Sequence, residues 1–420
     1  MTLLKTGMLN FIAMAVKIFT GLILNKIMAV YVGPSGYALA SQFQNGINFV
    51  TTFASGAINT GVTKYTAEYS ADRGSLQSLW RTAVIISFVS SFVLSILIFT
   101  LSNWISIYYL KDEAYSGIIR WFSITIFMFV ANIILLSIVN GKKLMERYVF
   151  INISGSVVSL VFSGFMAWKF GLYGAFVSFA TNQSVVFFVT LFLLRDMPWL
   201  NWNMFIGKPS DSIFFSKLLK FSLMAIVSAF CVVFVQILIR NYIATEFGWR
   251  SAGYWDGVWR ISSLYLMVVT VPLSVYYLPK LSEINNKKIL VKEILSGYKL
   301  VLPVVVASAL FIYVFRAFII SILFTSEFHS MSSLMGWQLL GDIMKLGSWL
   351  LSYIMLSKAL TRTYIITEIL SSSFFYASVH YLCNLNGLIG VTQAYFLTYF
   401  CYWVLMIIVI TRYLKRNIIL

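Results

Sequence analysis

The chain has 420 residues, of which 60% are hydrophobic and 11% charged, and its 31 Lys and Arg against 14 Asp and Glu give a formal net charge of +17. Soluble domains carry about 25% charged residues, so this composition excludes a soluble enzyme and predicts an all-α, polytopic membrane protein. In a soluble protein +17 would point to nucleic acid; here the charge must first be placed against the membrane, because cytoplasmic loops collect Lys and Arg.

Apolar runs of about 20 residues suit spanning helices. Twelve are predicted, over 7–31, 37–62, 83–107, 118–140, 149–170, 173–195, 217–244, 254–278, 299–323, 333–357, 363–384 and 388–412. The first run follows Lys5, lacks a clean small-residue cleavage site and continues past Lys17 to about Tyr31, so it reads as an uncleaved spanning helix. Lys17 and Lys26 are half a turn out of phase on it. Lys17 lies deeper and is the stronger binding candidate.

The second span carries Asn45, Asn48, Thr52, Ser55, Asn59 and Thr63 at spacings of 3, 4, 3, 4 and 4, which puts them on one helical face. A stripe of that length predicts a water-facing wall, beyond the scattered Asn and Thr that join helices in membranes. Lys64 follows immediately. The seventh span carries Gln236, Arg240 and Asn241. The eighth carries Asp256 and Arg260 at i, i+4, flanked by Trp255 and Trp259, a spacing at which the two can pair. In the tenth, Gln338, Asp342, Lys345, Ser348 and Ser352 fall within about 120° of arc, at the helical increment of about 100° per residue. Asp342 and Lys345 are therefore expected as a pair, either a fixed lock between helices or a switch that opens with a proton or substrate. Glu368 reads as a cytoplasmic-end charge and His380 as a hydrogen-bonded helix residue.

The loops separate by charge. One alternate set holds 21 Lys and Arg; the other holds Lys111, Lys169 and Arg250 alone. Both termini are therefore expected in the cytoplasm. Much of the net charge is topological, and no nucleic-acid partner is expected. Seven basic residues remain within spans: Lys17, Lys26, Arg120, Arg240, Arg260, Arg316 and Lys345. A charge at a helix centre costs at least ~2.5–3.5 kcal/mol on insertion scales. Arg120 and Arg316 sit near outer helix ends and can snorkel. The others outnumber Asp256 and Asp342, and such a cationic interior suits an anionic passenger such as a diphosphate.

Cys231, Cys383 and Cys401 fall in apolar runs without disulfide or metal spacing, and two histidines are too few for a histidine-based metal site. No GxxxxGK[ST] run exists for a nucleotide. No cofactor or metal is expected. Six spans per half predict a parallel repeat. LNKIMAVYVGPSGY (Leu24–Tyr37) echoes IRNYIATEFGWRSAGY (Ile239–Tyr254), and KYTAE (Lys64–Glu68) echoes PKLSE (Pro279–Glu283), at a common offset of about 215. The halves are read as 1–200, a cytoplasmic linker over 201–216, and 217–420.

GPSGYALASQF (Gly33–Phe43), GVTKYTAEY (Gly61–Tyr69), SVYYLPKLSE (Ser274–Glu283), WQLLGDIMKLG (Trp337–Gly347) and TQAYFLTY (Thr392–Tyr399) resemble the Wzx flippases nearly end to end, and most of all the branch that handles enterobacterial common antigen lipid III. The resemblance implies two six-helix bundles forming a V-shaped, alternating-access lumen in a bacterial inner membrane. It implies as passenger an oligosaccharide on undecaprenyl diphosphate, lipid III or an O-antigen repeat unit, moved from the cytoplasmic to the periplasmic leaflet. Membrane lipid, and the polymerase and chain-length proteins of the same glycan pathway, are the implied partners. Carried onto this sequence, the resemblance makes Lys17, Lys26, Arg240 and Arg260 substrate-binding candidates, and the polar stripe of the second span adds Asn48 and Asn59. Lys64, Asp342 and Lys345 lie within matching motifs whose roles the resemblance does not imply; with Asp256 they are read from their intramembrane charges as the coupling or gating candidates. The alternatives are a drug/cation antiporter of the same fold, which would need unpaired acids, and a membrane glycan polymerase or glycosyltransferase, which would need a larger outer loop.

Overall fold

The computed structural model describes residues 3–207, 213–273, 277, 280, 281, 284, 286–358 and 360–416. Among these there is no strand. Fourteen α-helices follow one another: α1 (Leu3–Ala54), α2 (Asn59–Glu68), α3 (Arg73–Thr100), α4 (Ser102–Tyr109), α5 (Ser116–Gly141), α6 (Met145–Leu194), α7 (Trp202–Phe205), α8 (Ile213–Ala229), α9 (Val235–Pro272), α10 (Lys287–Val314), α11 (Arg316–Leu323), α12 (Ser332–Ser357), α13 (Thr361–Asn386) and α14 (Ile389–Arg416). Residues 208–212 of the expected linker, including Lys208, and much of SVYYLPKLSE lie outside the described residues.

Eight described helices are long and apolar enough to cross a membrane. Three of them hold two traverses each. α1, α6 and α9 are interrupted at Gly33 (φ 68°, ψ 178°), Gly171 (φ 56°, ψ −135°) and Gly248 (φ 84°, ψ 159°). In a straight helix, residues 16 or 23 apart are separated by about 24 or 35 Å. Yet Arg240 bonds Asp256 across Gly248, and Ser159 donates to Asn182 Oδ1 at 2.6 Å across Gly171. Both helices therefore turn back on themselves at the glycine. With α13, a 26-residue helix that is not among those eight, the twelve expected traverses are accounted for. The chain is a multi-pass membrane protein.

The second expected span is shorter than its polar stripe required. α1 ends at Ala54, Gly56 (φ 65°) and Ala57 (φ 53°) turn the chain, and α2 starts at Asn59. Asn59 and Thr63 thus belong to another helix, and the stripe does not continue through them. The break is affordable in an apolar setting because its carbonyls are met. Ser91 Oγ donates to Ala54 O and Ser87 Oγ to Ser55 O, both at 3.1 Å, and Ser222 Oγ donates to Gly56 O. Arg120, exposed near the start of α5, donates to Ser102 Oγ and Asn103 Oδ1, both at 3.0 Å, and so ties α5 to α4.

The sequence repeat extends to the elements. α3 and α10 each have 28 residues and start 214 positions apart; α4 and α11 have 8 and start 214 apart; α5 and α12 have 26 and start 216 apart. Asp72 and Asn286 cap α3 and α10 the same way, each accepting the amides two and three residues on. The Ser75 hydroxyl, which also donates to Asp72 at 2.6 Å, and the two amides hold that carboxyl below its usual pKa. Gly171 and Gly387 (φ 62°) form a second glycine pair, 216 apart. The helices group into two compact units, 1–32 with 39–234, and 33–38 with 235–420.

The backbone at Gly248 is one that side-chain-bearing residues avoid, although a Cβ there would meet nothing within 4 Å. Gly248→Ala should therefore cost about 1–3 kcal/mol through backbone strain alone. Gly248→Asn should give no rescue, since Asn tolerates the left-handed helical region and not this one. Thermal unfolding in detergent reads both.

Candidate functional site

The helices of the second unit enclose a polar centre. Arg240 and Asp256 stand eight residues to either side of Gly248, so folding α9 at that glycine brings them face to face. Arg240 Nε donates to Asp256 Oδ2 at 2.7 Å and Nη2 to Oδ1 at 2.6 Å, a two-pronged bond between side chains only 3% and 5% exposed. Asp256 therefore does not pair with Arg260, as their spacing predicted. The sequence distance of 16 hid the true partner. Arg260 is half-buried, and its guanidinium makes no hydrogen bond or ion pair among the described residues.

A run of rings leads from this fork to a second acid. The Arg240 guanidinium lies 5.6 Å from the Trp255 ring, Trp255 lies 5.6 Å from Trp259, and Trp259 lies 5.3 Å from Tyr395. Tyr395 donates to Asp342 Oδ1 at 2.9 Å, and Tyr265 donates to Asp342 Oδ2 at the same distance. Asp342 is fully buried, so two phenols from α9 and α14 replace water at its carboxylate. Gln338, one turn earlier, is also fully buried, and neither of its amide atoms has a partner among the described residues.

The expected Asp342–Lys345 ion pair does not form: no contact within 4.0 Å joins them among the described residues. Lys345 Nζ instead sits 4.9 Å from Trp349, 5.3 Å from Trp259, 5.3 Å from Tyr399 and 5.7 Å from Tyr395. The negative faces of four rings attract the ammonium while leaving its three N–H donors without acceptors. One face of α12 was read correctly as polar, but Gln338, Asp342, Ser348 and Ser352 are buried against protein and do not line a water-filled wall.

Glycines make this approach possible. A Cβ on Gly341 would come within 2.3 Å of the Tyr395 ring, and one on Gly347 within 2.7 Å of Trp403. WQLLGDIMKLG and TQAYFLTY thus meet side by side. The former supplies the acid, the lysine and two gaps; the latter supplies Tyr395 and Tyr399. Tyr265, Tyr395, Tyr399 and Trp349 were not singled out in the sequence, because aromatic residues are abundant throughout and only packing distinguishes these four.

In the first unit the candidates are spread out. Lys17 is exposed and its ammonium makes no hydrogen bond or ion pair among the described residues; Lys26 is half-buried. Asn48 on α1 and Asn59 on α2 are both exposed. Lys64 is exposed beside the Tyr65 ring, at 5.2 Å. GVTKYTAEY finds a partner that sequence reading missed. Lys217 of α8 donates to Tyr69 Oη at 2.5 Å and stands 5.4 Å from the Tyr65 ring, which joins α8 to α2. No group of three His, Cys, Asp or Glu suited to a metal occurs among the described residues.

A sequence profile of the family described as polysaccharide biosynthesis protein matches residues 27–333. The lipid III flippase of Escherichia coli (strain K12) is 30% identical over 407 residues, covering 96% of this chain and 97% of its own length, and that of Shigella flexneri matches to the same extent. Among solved structures, an inward-facing multidrug-resistance MATE transporter of the MOP superfamily superposes with a TM-score of 0.81 at 13% identity, covering 95% of each chain. A MOP-superfamily transporter from Pyrococcus furiosus, described as having a binding pocket of reverse polarity, superposes at 0.65 with 14% identity and 96% of each chain. At such identities these two likenesses establish the fold and nothing finer.

Removing one member of a buried ion pair strands the other, at about 3–5 kcal/mol. Arg240→Ala and Asp256→Ala should each lower Tm in detergent sharply, and the double variant should recover part of the loss. A double-mutant cycle measures that coupling. Arg260→Ala should leave Tm close to wild type.

Proposed function

The chain belongs to the polysaccharide biosynthesis protein family, and on that premise we propose that it is a flippase for a lipid-linked oligosaccharide. The passenger is a glycan on undecaprenyl diphosphate, either enterobacterial common antigen lipid III or an O-antigen repeat unit. Its direction is from the cytoplasmic to the periplasmic leaflet of a bacterial inner membrane, by alternating access, with both termini in the cytoplasm. The full-length relatedness to lipid III flippases supports the passenger class, and the basic-residue asymmetry of the loops supports the orientation.

The observation that carries the reading is the state of the intramembrane cations. Lys17, Arg260 and Lys345 are charges on spanning helices that make no hydrogen bond or ion pair among the described residues. Cations without a hydrogen-bonded or ion-paired partner in such a setting are costly, and a diphosphate is the kind of group that satisfies them through charge-assisted bonds. Arg240 is different, because Asp256 already takes two of its donors. In this reading Lys17 in the first unit and Arg260 in the second are each diphosphate-binding candidates, and Lys26 is a further candidate on the helix that carries Lys17. Arg240 positions the Gly248 turn. Asn48 and Asn59 offer hydrogen bonds to sugar hydroxyls, and the polyprenyl tail remains in lipid. Asp342 is the coupling candidate, since two neutral phenols hydrogen-bond its carboxylate and no cation is bonded directly to it among the described residues; Asp256, Lys64 and Lys345 take gating roles. Membrane potential supplies about 2.3 kcal/mol per 100 mV for each charge moved.

Purified protein in liposomes, given lipid-linked glycan, tests this. Lys17→Ala with Arg260→Ala should slow flipping by at least about tenfold, as expected for losing charge-assisted bonds of about 1.5–3 kcal/mol each. Flipping at the wild-type rate would sink the proposal. Asp342→Asn keeps the shape of the acid and should flatten the dependence of transport on pH while leaving Tm nearly unchanged.

A further inference from the structure

A groove of about 630 Å³ opens on the second unit between α10 and α12. Its walls are apolar, with Val306 and Leu310 on one side and Leu340 and Ile343 on the other. Gly336 forms part of the floor, where a Cβ would stand 3.3 Å from the Tyr313 ring. One end is polar: Arg316, Ser332 and Ser333 line it. Arg316 is stacked on Tyr313, with its Cζ 4.4 Å from the ring, and donates Nη1 to Tyr313 O at 2.8 Å. Its remaining donors have no partner among the described residues. Trp337 and Tyr313, both partly exposed, flank the same end, as Trp and Tyr do at a membrane–water boundary.

We propose that this groove binds one anionic phospholipid, with its phosphate on Arg316 and the two serine hydroxyls and an acyl chain along the apolar walls. Length supports that occupant. From Ser332 to Ile343 a helix rises about 16 Å, and half of a bilayer's hydrocarbon core is about 15 Å. The groove is therefore one leaflet deep, the reach of an acyl chain, and a polyprenyl chain is several times too long for it. Charge supports it too. One pre-oriented guanidinium matches the single negative charge of a phosphodiester, whereas a diphosphate would be left under-compensated. The site is separate from the Asp342 centre and does not depend on what the protein transports.

The full chain, delipidated in detergent, is titrated with phosphatidylglycerol, phosphatidylcholine and a polyprenyl phosphate and observed by native mass spectrometry. The expected result is one tightly retained phosphatidylglycerol. Its affinity should fall about tenfold in Arg316→Ala, for the loss of charge-assisted bonds. Gly336→Leu fills the floor without touching the charge and should weaken the same lipid to a similar degree; thermal unfolding checks that both variants are folded. Equal retention of phosphatidylcholine, preferential retention of the polyprenyl phosphate, or unchanged retention in both folded variants would each overturn the site.

Discussion

The structure rests on one constraint: in an apolar surrounding, every backbone N–H and C=O must find a partner within the protein. Helices meet it internally, which is why almost the whole described chain is helical. The informative places are those where the helix stops. At Gly33, Gly171, Gly248 and Gly387 the chain turns in a conformation that only glycine adopts readily, so reversal takes a single residue and frees few groups. At Ala54–Ile58 the turn is wider and more groups are freed, and there serines from α3 and α8 reach the carbonyls.

The same constraint governs the charges. A buried acid needs either a cation or enough donors. Asp256 takes the first solution and Asp342 the second. The difference separates their roles: a two-pronged bond to Arg240 fixes the arms of α9 against each other, whereas two phenols leave Asp342 without an opposite charge bonded to it. Lys345 is held by ring faces, which attract a cation without using its hydrogen-bond donors. Aromatic packing thus keeps an acid and a base close together without neutralising them by direct contact.

Much of this was legible in the sequence. Hydropathy gave the twelve traverses, glycine echoes gave the repeat, and helical phase put Gln338, Asp342, Ser348 and Ser352 on one side of α12. Partnership was not legible. The i, i+4 rule sees one helix at a time, so Asp256 was paired with Arg260 on its own arm, when the hairpin at Gly248 delivers Arg240. The stripe from Asn45 to Thr63 failed for a related reason. Phase carries across a segment only while it stays helical, and Gly56 and Ala57 end that at a point no apolar run betrays. Tyr265 and Tyr395 were hidden because a phenol's role is set by what lies opposite it.

The repeat sharpens what is special about the second unit. Shifting by the 216 residues that separate Gly171 from Gly387 places Asp342 opposite Ile126, Lys345 opposite Phe129 and Tyr395 opposite Phe179. The first unit has instead a neutral network across α5 and α6. Asn132 Nδ2 donates to Gln183 Oε1 at 2.9 Å, and Thr190 Oγ1 donates to Asn132 Oδ1 at 2.8 Å. Caps, helix lengths and glycine turns are therefore held in common, while the chemistry between the same pair of helices is not. A scaffold needs only that polar groups be satisfied, and a neutral network does this at less cost than buried charge. Retaining a buried acid and a ring-held lysine in one repeat alone is thus not a requirement of the fold.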